Sequence, residues 1–334
     1  MERLNSERER IYNALIEKIG DTPLYKIQNI KIPNNNNIYA KEEYKNPTGS
    51  VFDRLYVFLF KDAEERGLIV PGITPVVEAS TGNAGAAFAW CARELGYIDC
   101  TVITHADTPK SRVKQIKSYG AKVLFSPAGE WAAGYVRELE KILDKDKKSK
   151  GKLGEDPKRM YCVTKIKRGS YSPGYKKLVD EIFKKVELVD YFICGVGSGT
   201  TISGIGISLK IKNPDTKVIA IEPEYSQVIT EFKKGRIAKL PDKMDLIGIG
   251  AAGLPKEKLD IDLKIIDEIT LVSDDDWKKG FNLLKEKEGK DIGRSSCAAF
   301  TVALKLSEKI NNKNILILFA DPSWKYDDDY PYMK

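Results

Sequence analysis

Tyr191-Phe192-Ile193-Cys194-Gly195-Val196-Gly197-Ser198-Gly199-Thr200-Thr201 decides the fold class of this chain. An apolar run closed by glycine reads as a strand buried on both faces, and the hydroxyl-rich segment after it opens a helix predicted from Thr201 to Lys210. The same succession occurs earlier, where Pro75-Val76-Val77-Glu78 leads through Ala79-Ser80-Thr81-Gly82-Asn83 into a helix from Ala84 to Leu95. Working outward, strands are expected at 101–104, 122–125, 218–221 and 315–319, and helices at 110–119, 174–185, 274–287 and 296–310. Short β-branched runs alternating with helical patterns make βαβ units. The expected class is α/β, with open, mostly parallel sheets flanked by helices. In such sheets ligands bind at the carboxyl ends of strands, where both loops fall.

Composition narrows the function classes. A chain of 334 residues with 42% hydrophobic content buries a sizeable core and suits two domains. Its net charge of +7 comes from 55 basic and 48 acidic residues that are interspersed, which reads as a solvated surface and not a nucleic-acid face. The N-terminus is charged and no run reaches the roughly 20 apolar residues of a membrane span, so a cytoplasmic protein without membrane contact is expected. Five dispersed cysteines without a Cys-x-x-Cys pair indicate neither a disulfide framework nor a zinc site. The single histidine, His105, removes most His-dependent triads and metal sites. Lys141 to Gly151 reads as an exposed helix end and linker.

The two loops carry chemistry of different sharpness. Glycines at 195, 197 and 199 let backbone N–H groups converge, and the helix that follows adds positive potential, which suits a phosphate. A P-loop is excluded because no Gly-Lys-Ser/Thr follows. A dinucleotide site is an alternative, with Glu222 placed like a ribose-binding acid, although Gly-x-Gly-x-x-Gly fails at Thr200. A tight turn without ligand is the simplest reading. Ser80-Thr81-Gly82-Asn83-Ala84-Gly85 offers hydroxyls, an amide and a helix N-terminus to a small carboxylate, and is equally readable as a plain capping turn.

A third stretch ties them together. Asn46-Pro47-Thr48-Gly49-Ser50-Val51-Phe52-Asp53-Arg54 resembles the signature of the cysteine synthase/threonine synthase family of fold-type II pyridoxal-phosphate enzymes, in which a lysine stands where this chain has Phe52. The resemblance extends to Ile19-Gly20-Asp21-Thr22-Pro23-Leu24, to Gly248-Ile249-Gly250-Ala251 and to Gly293-Arg294-Ser295-Ser296, in the family's order over most of residues 15 to 327. It implies the two-domain fold of the tryptophan synthase β family: a small domain of residues 40–150, a large domain of 1–39 plus 151–334, the cofactor in the cleft between them, and a homodimer.

By the same resemblance, Gly195, Gly197, Ser198, Gly199, Thr200 and Thr201 clasp the phosphate of pyridoxal 5′-phosphate and Asn83 meets its 3-oxygen. Ser295, or else Ser296, meets the ring nitrogen. Ser80, Thr81, Gly82 and Gly248 line the substrate side. The family lysine forms the covalent bond to the cofactor and moves the substrate α-proton, work that a phenyl ring at position 52 cannot do. The cofactor is therefore expected to be held non-covalently. Lys41, Lys45 and Lys61 lie near in sequence and are expected to be solvated or salt-bridged.

Further departures are Cys297, where glycine is usual, a poor match over 130–172, and a loose one over Asp321-Pro322-Ser323-Trp324-Lys325-Tyr326. Ser172-Pro173-Gly174-Tyr175-Lys176 is more similar to threonine synthase relatives. The leading functional expectation is a cysteine synthase-like protein of cysteine biosynthesis, a lyase or transferase acting on an O-activated serine or related amino acid by β-elimination and replacement. Its turnover by the usual route is impaired by Phe52. The alternatives are a non-catalytic, regulatory pseudoenzyme that binds the cofactor or an amino acid, and a nucleotide-dependent oxidoreductase.

Overall fold

The computed structural model describes residues 4–80, 82–151, 155–164, 172–230, 245–246, 248–250, 254 and 259–328. The chain forms two compact units, one made of Met1–Gly20, Asn46–Pro173 and Trp324–Lys334, the other of Asp21–Lys45 and Gly174–Ser323. The sequence places a small domain at 40–150; by compactness the divisions fall instead after residues 20, 45, 173 and 323.

The reasons are local. In the first unit, helix α1 (Ser6–Lys18) packs on α2 (Asp53–Glu65): Arg8 Nε donates to Glu64 Oε2 at 2.8 Å, Lys61 bonds Glu9 at 2.9 Å, and Tyr12 is wholly buried. Strand β6 (Tyr161–Cys162) pairs in parallel with β3 (Val76–Ala79), which holds the segment after residue 150 to this unit. Strand β2 (Asn37–Lys41), in contrast, pairs with β1 (Leu24–Lys26) and with β10 (Asn314–Leu318) in the second unit.

The first unit's sheet has the order β5-β4-β3-β6, all parallel, with β4 spanning Cys100–His105 and β5 Lys122–Ser126. α2 buries Leu55, Tyr56, Leu59, Phe60 and Ala63, a 3–4-residue spacing that turns one face inward, where Phe60 stacks on Phe88 at 5.6 Å between centroids. Phe88 belongs to α3 (Asn83–Glu94), and α4 (Lys110–Ser118) follows β4. α5 runs from Trp131 to Lys150, so the expected linker is helix almost to its end, and Leu139 and Leu143 pack against Val77 and Ile103. Each such buried side chain contributes roughly 1.5–3 kcal/mol.

The second unit's sheet has the order β1-β2-β10-β7-β8-β9, parallel except for β1. β7 spans Tyr191–Gly195, β8 Lys217–Pro223 and β9 Glu268–Val272. Ile193, Ile219, Ile221, Ile315 and Ile317 are buried in the core of this unit. The flanking helices are α6 (Pro173–Phe183), α7 (Thr200–Lys212), α8 (Asp274–Glu288) and α9 (Arg294–Ser307). α8 begins with a capping box between Ser273 and Asp276 and stops at Gly289 in the left-handed region, φ 64°. All five cysteines are buried, and no helix among the described residues is long and apolar enough to cross a membrane.

Candidate active site

In the first unit, the turn that resembles the family signature is tied down at both ends. Asp53 accepts the amide of Thr48 at 2.6 Å and also its hydroxyl, while Asn46 Oδ1 accepts the amide of Gly20 at 2.9 Å. Gly49 sits at φ 74°, a left-handed conformation that glycine adopts without a steric penalty. Ser50 Oγ accepts the amide of Phe52 at 3.3 Å. Phe52 is the N-cap of α2, half-buried, and its carbonyl takes the amides of Leu55 and Tyr56 at 2.9 and 3.2 Å.

Asn83 opens α3. Ahead of it, Ser80 Oγ accepts the amides of Gly82 and Gly85 at 3.3 and 3.0 Å, so this serine caps the helix through its oxygen and keeps one hydroxyl proton to donate. Gly82 is the N-cap, and a Cβ there would lie 2.3 Å from Arg112 Nη1, so glycine makes room for the guanidinium. Thr81 lies outside the described residues. Beside this loop, Glu78 is wholly buried and accepts from Tyr56 Oη, Thr164 Oγ1 and the Ala79 amide at 3.1, 3.0 and 2.9 Å. Burial pushes its carboxyl up to about 7 against those three donors.

Sequence reasoning missed one residue here. Lys325 is fully buried and donates from Nζ to Thr48 O at 2.8 Å and to Asn83 Oδ1 at 2.9 Å. Its own carbonyl accepts from Arg112 Nε at 3.1 Å, and that guanidinium lies 4.4 Å from the Tyr326 ring centroid. Lys325 stands 277 residues from Thr48 in a segment that follows the family pattern only loosely, so no local pattern marks it. The three lysines singled out from sequence are placed otherwise. Lys41 is buried, bonded to Glu181 at 2.7 Å and to Thr22 Oγ1 at 2.6 Å; Lys45 lies 5.1 Å from the Tyr44 ring; Lys61 pairs with Glu9.

In the second unit, the loop between β7 and α7 gathers backbone amides at a helix N-terminus. Val196 donates to Ile221 O at 3.1 Å and Ser203 to Gly199 O at 3.0 Å, but between them the amides of Gly197, Ser198, Gly199, Thr200 and Thr201 find no acceptor among the described residues. Those five N–H groups sit at the N-terminus of a 13-residue helix, around Gly199 at φ 93°. Donors in such an array need an anion or water. A Cβ on Gly197 would meet nothing within 4 Å, whereas one on Gly195 would lie 2.2 Å from Ile249 Cγ2 and one on Gly199 2.4 Å from Ile261 Cβ. The glycines at 195 and 199 therefore allow close packing, and the one at 197 borders open space. The donor set fits a phosphate.

Around it, Tyr175 Oη and Thr201 Oγ1 are 3.2 Å apart, and Gly250 donates to Val196 O at 2.6 Å, with Gly248 at φ 102° in the same loop. In the first turn of α9, Ser296 is buried with Oγ accepting the amide of Ala320 at 2.9 Å. Ser295 is half-buried, and its hydroxyl makes no hydrogen bond among the described residues. Glu222, the acid of the dinucleotide alternative, is buried, taking the amides of Ile229 and Thr230 at 2.5 and 3.3 Å and the Thr230 hydroxyl at 3.0 Å. A carboxylate so engaged is not presented to a ribose.

Residues 15–321 match the family described as "Pyridoxal-phosphate dependent enzyme". The chain belongs to this family. Among pyridoxal-phosphate dependent enzymes it is cysteine synthase-like: it is 33% identical over 323 residues to the cysteine synthase of Buchnera aphidicola, covering 95% of this chain and 94% of the relative. It is likewise 33% identical over 324 residues to an O-acetylserine dependent cystathionine beta-synthase of Bacillus subtilis, covering 95% and 96%. Among solved structures, a hydrogen sulfide-producing enzyme of Fusobacterium nucleatum superposes with a TM-score of 0.80 at 29% identity, covering 94% of this chain and 99% of that one. An O-acetylserine dependent cystathionine beta-synthase of Helicobacter pylori gives 0.80 at 26% identity over the whole of both chains. The cofactor of this pyridoxal-phosphate dependent enzyme family member is accordingly pyridoxal phosphate.

Proposed function

We propose that this chain binds pyridoxal phosphate and an O-activated serine or related amino acid as a cysteine synthase-like protein, and that β-elimination and replacement through an amine at position 52 is closed to it. The observation that carries the reading is the run of five amides from Gly197 to Thr201 without an acceptor among the described residues, beside room for a phosphate. The bound cofactor supplies an electron sink for the substrate α-carbon. The chain's own residues do the rest. The amides of 197–201 hold the phosphate, Asn83 orients the ring through its 3-oxygen, and Ser295, with its hydroxyl uncommitted, meets the ring nitrogen. The Ser80 hydroxyl, Thr81, Gly82 and Gly248 receive the amino acid. A phenyl ring at 52 neither bonds the aldehyde nor takes a proton, and loss of a positioned acid/base alone costs about 10²–10⁴ in rate. A homodimer is part of this proposal.

A second reading is favoured by Phe52 itself: a regulatory protein that binds the cofactor or an amino acid without turnover. An absorbance titration separates the two. The purified protein is mixed with pyridoxal phosphate and then with O-acetylserine and sulfide. Spectral change together with cysteine formation supports the enzyme, spectral change alone supports the binding protein, and no retention of pyridoxal phosphate overturns both.

A further inference from the structure

Position 52 offers no amine, yet an amine lies against the same turn. Lys325 Nζ bonds the carbonyl of Thr48, four residues before Phe52, and the side chain of Asn83, and all four residues belong to the first unit. We propose that Lys325 supplies the amine that condenses with the cofactor aldehyde in this chain. The proposal rests on the reading above, in which Asn83 meets the 3-oxygen. In pyridoxal phosphate the aldehyde sits on the ring carbon next to the one that bears this oxygen. An amine 2.9 Å from Asn83 Oδ1 is therefore brought to the ring edge that carries this oxygen, one ring carbon from the aldehyde.

The chemistry closes without a further reagent. As the free base, Nζ adds its lone pair to the aldehyde carbon while the C=O π pair moves to oxygen. The two amine hydrogens and that oxygen leave as water, and a C=N double bond remains. Nothing is oxidised or reduced. The buried amine must release Thr48 O or Asn83 Oδ1 to do this, a swing within the range of a flexible four-carbon stem. Lys41 is less suited because its amine is locked to Glu181 and Thr22 in the core of the second unit, and Lys61 is held by Glu9 in the α1–α2 pair. Lys325 is thus the candidate that the geometry, and not nearness in sequence, selects.

The test is chemical and does not depend on turnover. Wild-type protein is incubated with pyridoxal phosphate, reduced with borohydride, digested and mapped by mass spectrometry; Lys325→Arg and Lys45→Arg are treated alike, with retention of pyridoxal phosphate measured by dialysis and folding by circular dichroism. The expected result is a pyridoxyl group on Lys325 in the wild type and in Lys45→Arg, absent from a folded Lys325→Arg, since a guanidinium keeps charge and donors but does not condense. Retained cofactor with the label on another lysine, or on none, overturns the inference and leaves the reading above standing. No retained cofactor sinks both. Should Lys325→Arg fail to fold, the wild-type map alone decides.

Discussion

Thr48 and Asp53 are joined twice, the amide of Thr48 donating at 2.6 Å to one carboxylate oxygen and its hydroxyl to the other, and this clamp closes the turn across Phe52. Gly49, Ser50 and the start of α2 all take part in the same hydrogen-bonded frame. The side chain of Phe52 is therefore carried by a backbone fixed by hydrogen bonds on both sides. A buried carboxylate whose two oxygens both accept is rigid, and rigidity at residues 48 to 53 also fixes the carbonyl that receives Lys325.

Lys41 is expected to be structural. Its ion pair with Glu181 has side chains 1% and 6% exposed, and breaking a pair buried to this degree costs about 3–5 kcal/mol. Lys41→Met should lower the urea midpoint sharply, and adding Glu181→Leu should restore part of the loss. Borohydride labelling by pyridoxal phosphate should not change in the double variant; a label lost with Lys41 would contradict the assignment.

The proposed phosphate cradle gives a paired prediction. At Gly197 a side chain meets open space, so Gly197→Leu should fold with an unchanged melting temperature and lose affinity for pyridoxal phosphate, because the leucine fills the volume in front of the free amides. At Gly199 the same change meets Ile261 and a φ of 93°, so Gly199→Leu should fail mainly in stability. Equilibrium dialysis beside thermal melts tells the two apart. Full affinity in Gly197→Leu would remove the phosphate from this loop.

Most of this architecture is legible from the chain. Buried parallel strands such as β7 and β8 are apolar runs with turn residues at their ends, so hydrophobic pattern alone places them within two residues, and the glycines at 195, 197 and 199 mark the strand-to-helix turn that follows β7. Three things are not legible. Two-residue β6 is too short to carry a period, the polar end of α5 is solvated helix that looks like linker, and Lys325 acquires its meaning only from partners 277 and 242 residues away. Local pattern reports burial and turns; it does not report which distant chain end completes a site.

Glu78 predicts a pH dependence. Its carboxyl is raised from 4.5 to about 7 in the folded chain, so the native state holds this proton more tightly than the unfolded state does. The sign follows: the contribution is fully present below about pH 4.5, shrinks as pH rises, and is gone above about 7, a change on the order of 3 kcal/mol at about 1.4 kcal/mol per pKa unit. Glu78→Gln keeps the shape and carries no charge. Urea unfolding across pH 5 to 8 should show the variant gaining on the wild type as pH increases, and parallel curves would mean that Glu78 titrates normally.

Phe52→Lys puts an amine at the position that the resemblance assigns to the family lysine, inside a turn closed by the Thr48–Asp53 clamp. The native Phe52 is only half-buried at the N-cap of α2, so a lysine stem has room to lie along the surface with its charge near water, and the variant should fold. Given pyridoxal phosphate, it should form a bond at position 52 that borohydride reduction makes permanent, and O-acetylserine should then produce a larger absorbance change than in the wild type. Combining it with Lys325→Arg sharpens the outcome. If Lys325 is the amine in the natural chain, the double variant should carry its label at 52 alone, while Phe52→Lys by itself divides the label between two peptides. A folded variant that retains the cofactor yet reacts at neither position would show that the change from the family pattern extends beyond residue 52. Faster cysteine formation by the wild type than by Phe52→Lys would mean that the phenyl ring belongs to a working site, and would agree with an amine supplied by Lys325.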